Sequence, residues 1–273
     1  MLLRDAEASN GRASGGDVGI EVFMLKRTMN AAFVGGFYVF PGGVVDAEDG
    51  GTDIETLCDG LTDANASAQL GLESGGLAFW VAAVRECFEE AGVLLAEGVD
   101  FADPSTADRF SGYQHAIHDR TATMVDICRS EGLTLNVSQV EYVAHWITPH
   151  AEPRRFDTRF FVTRMPDGQT PLHDDNETID SEWMRPADAL RRQASGELQM
   201  LPPTMACLGF LEPHTTVGEA MAAATSVNGP PAMLPVALVN DGKFVGLLLP
   251  GDDGYDTALA GVLATTATGL TRP

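Results

Sequence analysis

Three glutamates spaced to share one helical face carry the strongest chemical signal in this chain, within Arg85-Glu86-Cys87-Phe88-Glu89-Glu90-Ala91-Gly92-Val93. Glu86, Glu89 and Glu90 stand at i, i+3 and i+4, so a helix puts their side chains together. Carboxylates that close repel one another unless a cation neutralises them. Hard oxygen ligands on a rigid helix suit Mg²⁺ or Mn²⁺. Arg85, four residues before Glu89, is close enough to orient that carboxylate. The competing reading of the same run is a solvated acidic helix face.

The other residues suited to chemistry are basic. Arg154, Arg155 and Arg159 stand out in a chain whose formal charge is −22, from 39 acidic against 17 basic residues. In a strand, Arg155, Asp157 and Arg159 alternate onto one face, where a guanidinium can grip a phosphate bidentately. An ion pair with Asp157 is the equal alternative. Lys26 and Arg27 carry a weaker form of the same argument. His115 and His118 lack a flanking ligand pattern and read as plain helix surface. No G-x-S-x-G elbow and no G-x-x-x-x-G-K-[ST] loop is present, which speaks against a serine hydrolase and a P-loop enzyme.

Composition narrows the setting. The chain has 273 residues, 44% hydrophobic and 21% charged, enough apolar material for a sizeable core. Its acidity disfavours nucleic acid and an acidic membrane surface as partners. Cys58, Cys87, Cys128 and Cys207 form no CxxC pair, so reduced thiols in a cytoplasmic compartment are expected. No apolar run approaches bilayer length.

The elements that must position these residues follow from periodicity. Residues 1–16 are polar and Gly/Ser-rich, which predicts a loose arm. Val18 to Leu25 and Gly36 to Phe40 read as strands, the second stopped by Pro41-Gly42-Gly43. Residues 46–76 show no trusted period and read as an inserted surface excursion. Leu77, Trp80, Val81, Val84, Cys87 and Phe88 recur at helical spacing, with Gly92 as the stop. A second helix is expected from Pro104, capped by Asp103, to Glu131. Glu141 to Thr148, Phe156 to Met165 and a short segment ending at Trp183 read as strands, and Pro186 to Ala194 as a helix. Leu234 to Val239 and Phe244 to Leu249 flank Asn240-Asp241-Gly242 as a hairpin.

The acidic helix resembles the second half of the Nudix box, G-x5-E-x7-R-E-U-x-E-E-x-G-U. Arg85-Glu86, Glu89-Glu90, Gly92 and Val93 match, and Phe40-Pro41-Gly42-Gly43 is similar to the opening. Two departures stand out: Asp49 occupies the glutamate position, and residues 50–84 replace the seven-residue spacer. The coenzyme A and acyl-CoA diphosphatase subgroup carries a long insertion there. Lys26-Arg27, Trp146-Ile147-Thr148-Pro149, Arg154 to Phe161 and Leu201-Pro202-Pro203-Thr204 also resemble that subgroup.

The resemblance implies an α/β/α sandwich around a mixed sheet: a domain over residues 17–211, with 46–76 as the insertion and 212–273 as a C-terminal extension. It implies that Glu86, Glu89 and Glu90, with the Gly42 carbonyl, hold Mg²⁺ or Mn²⁺, and that a later carboxylate serves as ligand or general base. Glu177 is the candidate, six residues before Trp183, with Glu182 and Asp175 behind it. Arg154, Arg155, Arg159 and Arg27 are the substrate-binding candidates. The implied reaction is hydrolysis of a diphosphate linkage in a nucleotide-derived small molecule. Coenzyme A or an acyl-CoA comes first, cut to 3′,5′-ADP and (acyl-)phosphopantetheine. ADP-ribose, NADH and nucleotide sugars are alternatives. A non-catalytic domain that senses a metabolite or scaffolds a partner is the rival class, favoured by the shortened Asp49 and the long insertion and opposed by the intact Glu86, Glu89 and Glu90. Nudix proteins are often dimers, so a homodimer is expected.

Overall fold

The computed structural model describes all residues except 7–18, 30–34, 52, 102, 151, 174–176, 241–242 and 270–273. In chain order its elements are β1 (Leu2–Asp5), β2 (Ile20–Arg27), β3 (Tyr38–Val39), α1 (Asp63–Leu70), α2 (Leu77–Ala91), β4 (Ala96–Glu97) and α3 (Pro104–His118). Then come α4 (Met124–Glu131), β5 (Thr134–Leu135), β6 (Glu141–Ile147), β7 (Asp157–Arg164), β8 (Thr178–Met184) and α5 (Pro186–Ala194). The chain ends with α6 (Pro202–Leu211), α7 (Val217–Thr225), β9 (Ala232–Met233), β10 (Val236–Asn240), β11 (Lys243–Leu248) and α8 (Tyr255–Gly269). Two compact units result: residues 1–142 with 161–229, and residues 143–160 with 230–273. Residues 212–229, with α7, therefore fall in the first unit.

In the first unit β2 is central. One edge pairs antiparallel with β8, from Val22↔Met184 to Arg27↔Thr178. The other edge is shared by β1 and β3. β1 also runs parallel to β7 at Leu2↔Thr163, so the sheet is mixed. Residues 1–6 correct the expectation of a loose arm, since Leu2 and Leu3 are buried and β1 has a partner on each edge. A four-residue strand carries too little period to be read, and its partner β7 lies far along the chain.

Alternation on β2 divides the core. Phe23 and Leu25 join the cluster containing Trp80, Val84 and Phe88 of α2. Val22 and Met24 are buried on the opposite face. There Met184, paired with Val22, accepts a hydrogen bond from Arg192 of α5. Helices thus cover both faces, giving the α/β/α sandwich. Trp80 locks α2 down, donating Nε1–H to the Val140 carbonyl at 2.7 Å and meeting the Phe161 ring at 4.8 Å.

Two expectations need correction in this unit. The excursion at 46–76 is not featureless, for it contains 3-10 turns at Ala47–Gly50 and Ile54–Leu57 and the helix α1. Asp63 of α1 accepts hydrogen bonds from Leu77 N–H and Gly75 N–H, capping α2. The single helix expected from Pro104 to Glu131 is two. α3 closes in a left-handed turn at Arg120, and α4 opens on a Thr123/Asp126 capping box.

In the second unit β6 runs parallel to β9 at His145↔Ala232 and Trp146↔Met233. β10 and β11 form the expected antiparallel pair; Asp241 and Gly242 of its turn lie outside the described residues. Tyr255 of α8 donates its hydroxyl to the Leu234 carbonyl. No helix among the described residues is long and apolar enough to cross a membrane.

Candidate active site

The acidic face of α2 is organised by Arg85. Its Nε and Nη2 grip Asp49 at 2.9 and 3.0 Å, Nη1 reaches Glu86 at 2.8 Å and Glu89 at 3.1 Å, and Nη2 also meets the Val44 carbonyl at 2.7 Å. All five N–H donors are thereby used. The bidentate pair is buried, with Arg85 side chain 9% and Asp49 2% exposed. Asp49 is therefore the anchor of Arg85, and through Arg85 it fixes where Glu86 and Glu89 point. Its missing methylene is no handicap in that role, which removes the ground it offered for a non-catalytic domain.

The turn before the excursion closes the other side. Gly42 donates its N–H to Glu90 Oε2 at 2.8 Å. Gly43 lies so near Glu86 that an added Cβ would sit 2.6 Å from the carboxyl carbon, so the second glycine is a matter of space. Burial raises the Glu86 carboxyl to about 7, helped by the charges of Glu89 and Asp49 and opposed by Arg85. Burial likewise raises Glu90 to about 8, against the pull of the Gly42 N–H. The sequence expected Gly42 to contribute its carbonyl; the contact seen is through its N–H.

Around this cluster stand further polar groups. Arg27 pairs with Glu177 at 3.7 Å, and both lie near enough to act on the Glu90 charge. Gln114 of α3 donates to the Glu89 carbonyl at 2.9 Å, and one turn on, His118 Nδ1 stands 3.7 Å from Glu89 Oε1. Arg120 reaches Asp46 at 3.8 Å. The sequence reading set His118 aside as helix surface; its i, i+4 relation to Gln114 was the available signal that both face α2.

The structure thus brings together Arg85, Glu86, Glu89, Glu90 and Gly42, with Arg27 and Glu177 beside them. Glu182 is not with them. It pairs in register with Met24 on the opposite sheet face and is held by Arg192 at 2.8 Å. Asp175 lies outside the described residues. Lys26 sits with its ammonium 5.7 Å from the Tyr38 ring. Arg154, Arg155 and Arg159 belong to the second unit and have partners there. Arg159 pairs with Asp157 at 2.6 Å, Arg155 donates to the Thr148 carbonyl at 2.9 Å, and Arg154 lies over the Phe156 ring. β7 begins only at Asp157, so Arg155 lies outside the alternating strand. Among the described residues no group of three His, Cys, Asp or Glu side chains is gathered as a ready metal cage.

Comparison with known sequences decides what this arrangement belongs to. The NUDT19 Nudix domain family matches residues 62–211, more than half of the chain. The chain belongs to that family. As a Nudix hydrolase it acts on diphosphate bonds. It is 25% identical to the acyl-coenzyme A diphosphatase NUDT19 of Xenopus laevis, over 86% of this chain and 71% of that protein. The human protein of the same name is also 25% identical, over 87% of this chain and 72% of the relative. A putative nudix hydrolase 7 from Caenorhabditis elegans is 30% identical across 67% of this chain and 52% of the relative. Among solved structures, a Nudix hydrolase from Alicyclobacillus acidocaldarius superposes with a TM-score of 0.61 at 25% identity, covering 84% of this chain and 95% of that one.

Proposed function

We propose that this Nudix hydrolase cleaves the diphosphate linkage of coenzyme A or an acyl-CoA, with Mg²⁺ or Mn²⁺ held by Glu86, Glu89 and Glu90. The observation that carries the metal is the gathering of Glu86, Glu89 and Glu90 on one face of α2, with Glu90 buried and Glu86 half-buried and both carboxyls raised, to about 8 and about 7. A bound cation would stabilise the charged form of carboxylates held this way, and an all-oxygen donor set fits a hard one. The substrate class is supported by the names of the relatives. When bound, the divalent ion neutralises charge developing at phosphorus and makes water a better nucleophile.

The chain's own residues do the rest. Arg85 spends its whole guanidinium holding Glu86 and Glu89 in place, with Asp49 behind it. Gly42 fixes Glu90. Glu177, exposed and 3.7 Å from Arg27 beside Glu90, takes the proton as the water oxygen bonds to phosphorus and the bridging P–O bond breaks. The leaving phosphate carries away the electron pair. Arg27, beside this cluster, is the proposed holder of a substrate phosphate, and Arg154, Arg155 and Arg159 are proposed as phosphate-binding side chains of the second unit by themselves. A homodimer, on family grounds, and a cytoplasmic setting, on the ground of the unpaired cysteines, remain part of this proposal.

The test is phosphorus NMR on coenzyme A, ADP-ribose, NADH and a nucleotide sugar, with Mg²⁺ or Mn²⁺ and a chelator control. Metal-dependent release of 3′,5′-ADP from coenzyme A is expected. Faster cleavage of ADP-ribose or NADH would overturn the substrate. A Glu89→Gln, Glu90→Gln protein that stays folded and fully active would overturn the site.

A further inference from the structure

The turn after α3 is built in a costly way. Arg120 N–H bonds the Ile117 carbonyl at 2.9 Å and Thr121 N–H the Ala116 carbonyl at 2.8 Å, the two hydrogen bonds of a Schellman motif. The residue that must turn left-handed in that motif is normally glycine. Here it is Arg120, at φ 55°, alone among the described non-glycine residues in having a positive φ. Side chains pay for that conformation, and such strain clusters at functional positions.

Its surroundings give the strain a direction. The substrate of a diphosphate hydrolase is an anion, whereas this chain carries a formal charge of −22 and Asp46, Glu86, Glu89, Glu90 and Glu177 stand around Arg85 and Arg27. An exposed cation at the rim would favour entry. Arg85 has no N–H left to give, and Arg27, beside Glu177, is only 23% exposed and so stands deeper in the site. Arg120 is 83% exposed and meets Asp46 only at 3.8 Å, while Asp46 also lies 3.9 Å from Arg85. A contact that long at the surface holds the guanidinium weakly. Asp46 thus leads from Arg120 directly to the Arg85 cluster.

We infer that Arg120 is a substrate-binding residue of this enzyme, which takes a phosphate oxygen of the incoming substrate at the rim of the site. The inference rests on the reading of the protein as a diphosphate hydrolase but not on which compound it cleaves. The experiment compares wild type, Arg120→Gly and Arg120→Lys by thermal melting and by steady-state kinetics on coenzyme A, ADP-ribose and NADH. Arg120→Gly relieves the backbone and should raise the Tm by ~2 °C. The same change should raise KM ~10-fold and leave kcat within about twofold. Arg120→Lys should recover part of the KM and none of the Tm gain. An unchanged KM in Arg120→Gly overturns the assignment, as does a KM rise that lysine fails to recover, since that traces to the turn and not the charge. Wild-type cleavage of ADP-ribose or NADH alone removes coenzyme A as substrate, and Arg120 is then scored on the compound cleaved. A wild type inert on all of them with metal overturns the functional reading and this assignment with it.

Discussion

Replacing Glu90 by glutamine should make the metal-free protein more stable at pH 8. Burial raises Glu90 to about 8 from the ordinary 4.5, so the folded chain holds a proton that the unfolded chain has already released. Stability contributed by a group raised in this way is full below pH 4.5 and is lost as pH rises toward 8. At pH 8 the ceiling on that loss is roughly 4 kcal/mol. Glu86, raised to about 7 in the same cluster, titrates together with it, so about half, ~2 kcal/mol, is the working figure for Glu90 alone. Glutamine removes the charge and keeps an oxygen for the Gly42 N–H. In chelator at pH 8, Glu90→Gln should therefore melt ~4–8 °C above wild type, with the difference vanishing near pH 5. Saturating Mn²⁺ should reverse the order, because a ligand at 100 times its Kd adds ~2.7 kcal/mol to the protein that binds it. Thermal melts at pH 5 and pH 8, with chelator and with Mn²⁺, read all of this. A wild type in chelator with the same Tm at both pH values would refute the reasoning, as would a Glu90→Gln protein no more stable than wild type at pH 8.

Other parts of the structure make their own predictions. Asp49→Ala leaves the buried Arg85 charge without its bidentate partner and should cost ~3–5 kcal/mol in urea denaturation; a loss under about 1 kcal/mol would show that Asp49 is not the anchor. Gly43→Ala should cut kcat at least ~10-fold, because the added methyl displaces the Glu86 carboxylate; unchanged turnover would mean that the turn can move. Leu3→Ala should destabilise by ~2–5 kcal/mol, read as a lowered urea midpoint, whereas a dispensable arm would give no change.

What could be read from the sequence follows the range of each interaction. α2 was legible, because Leu77, Trp80, Val84 and Phe88 recur at helical spacing and Gly92 ends the run. The acidic face was legible for the same reason. The role of Asp49 was not, because it depends on a hydrogen bond to Arg85, 36 positions further along the chain. β1 was missed on similar grounds, since its partner Thr163 is remote and Leu2-Leu3 alone carries no period. The break between α3 and α4 was hidden by Arg120, which occupies a position where glycine would have announced a stop. His118 was passed over for lack of a motif, though its significance comes from α3 lying against α2. The three arginines at 154–159 show the converse: their residue types suggested phosphate, and the contacts seen are Asp157, Thr148 and Phe156.

The clamp between Asp49 and Arg85 also bears on how the family can change. With both ends of the excursion pinned by one buried ion pair, its interior length costs the fold little, since doubling a loop adds only ~0.6 kcal/mol of closure entropy. Segments could be gained or lost there while the carboxylates of α2 stay where they are. The exposed parts of the excursion are thus where new surface can be tried out at least risk to the chemistry, provided that the Asp49–Arg85 clamp, the Asp63 cap of α2 and the buried Ile54 and Ala66 are left alone.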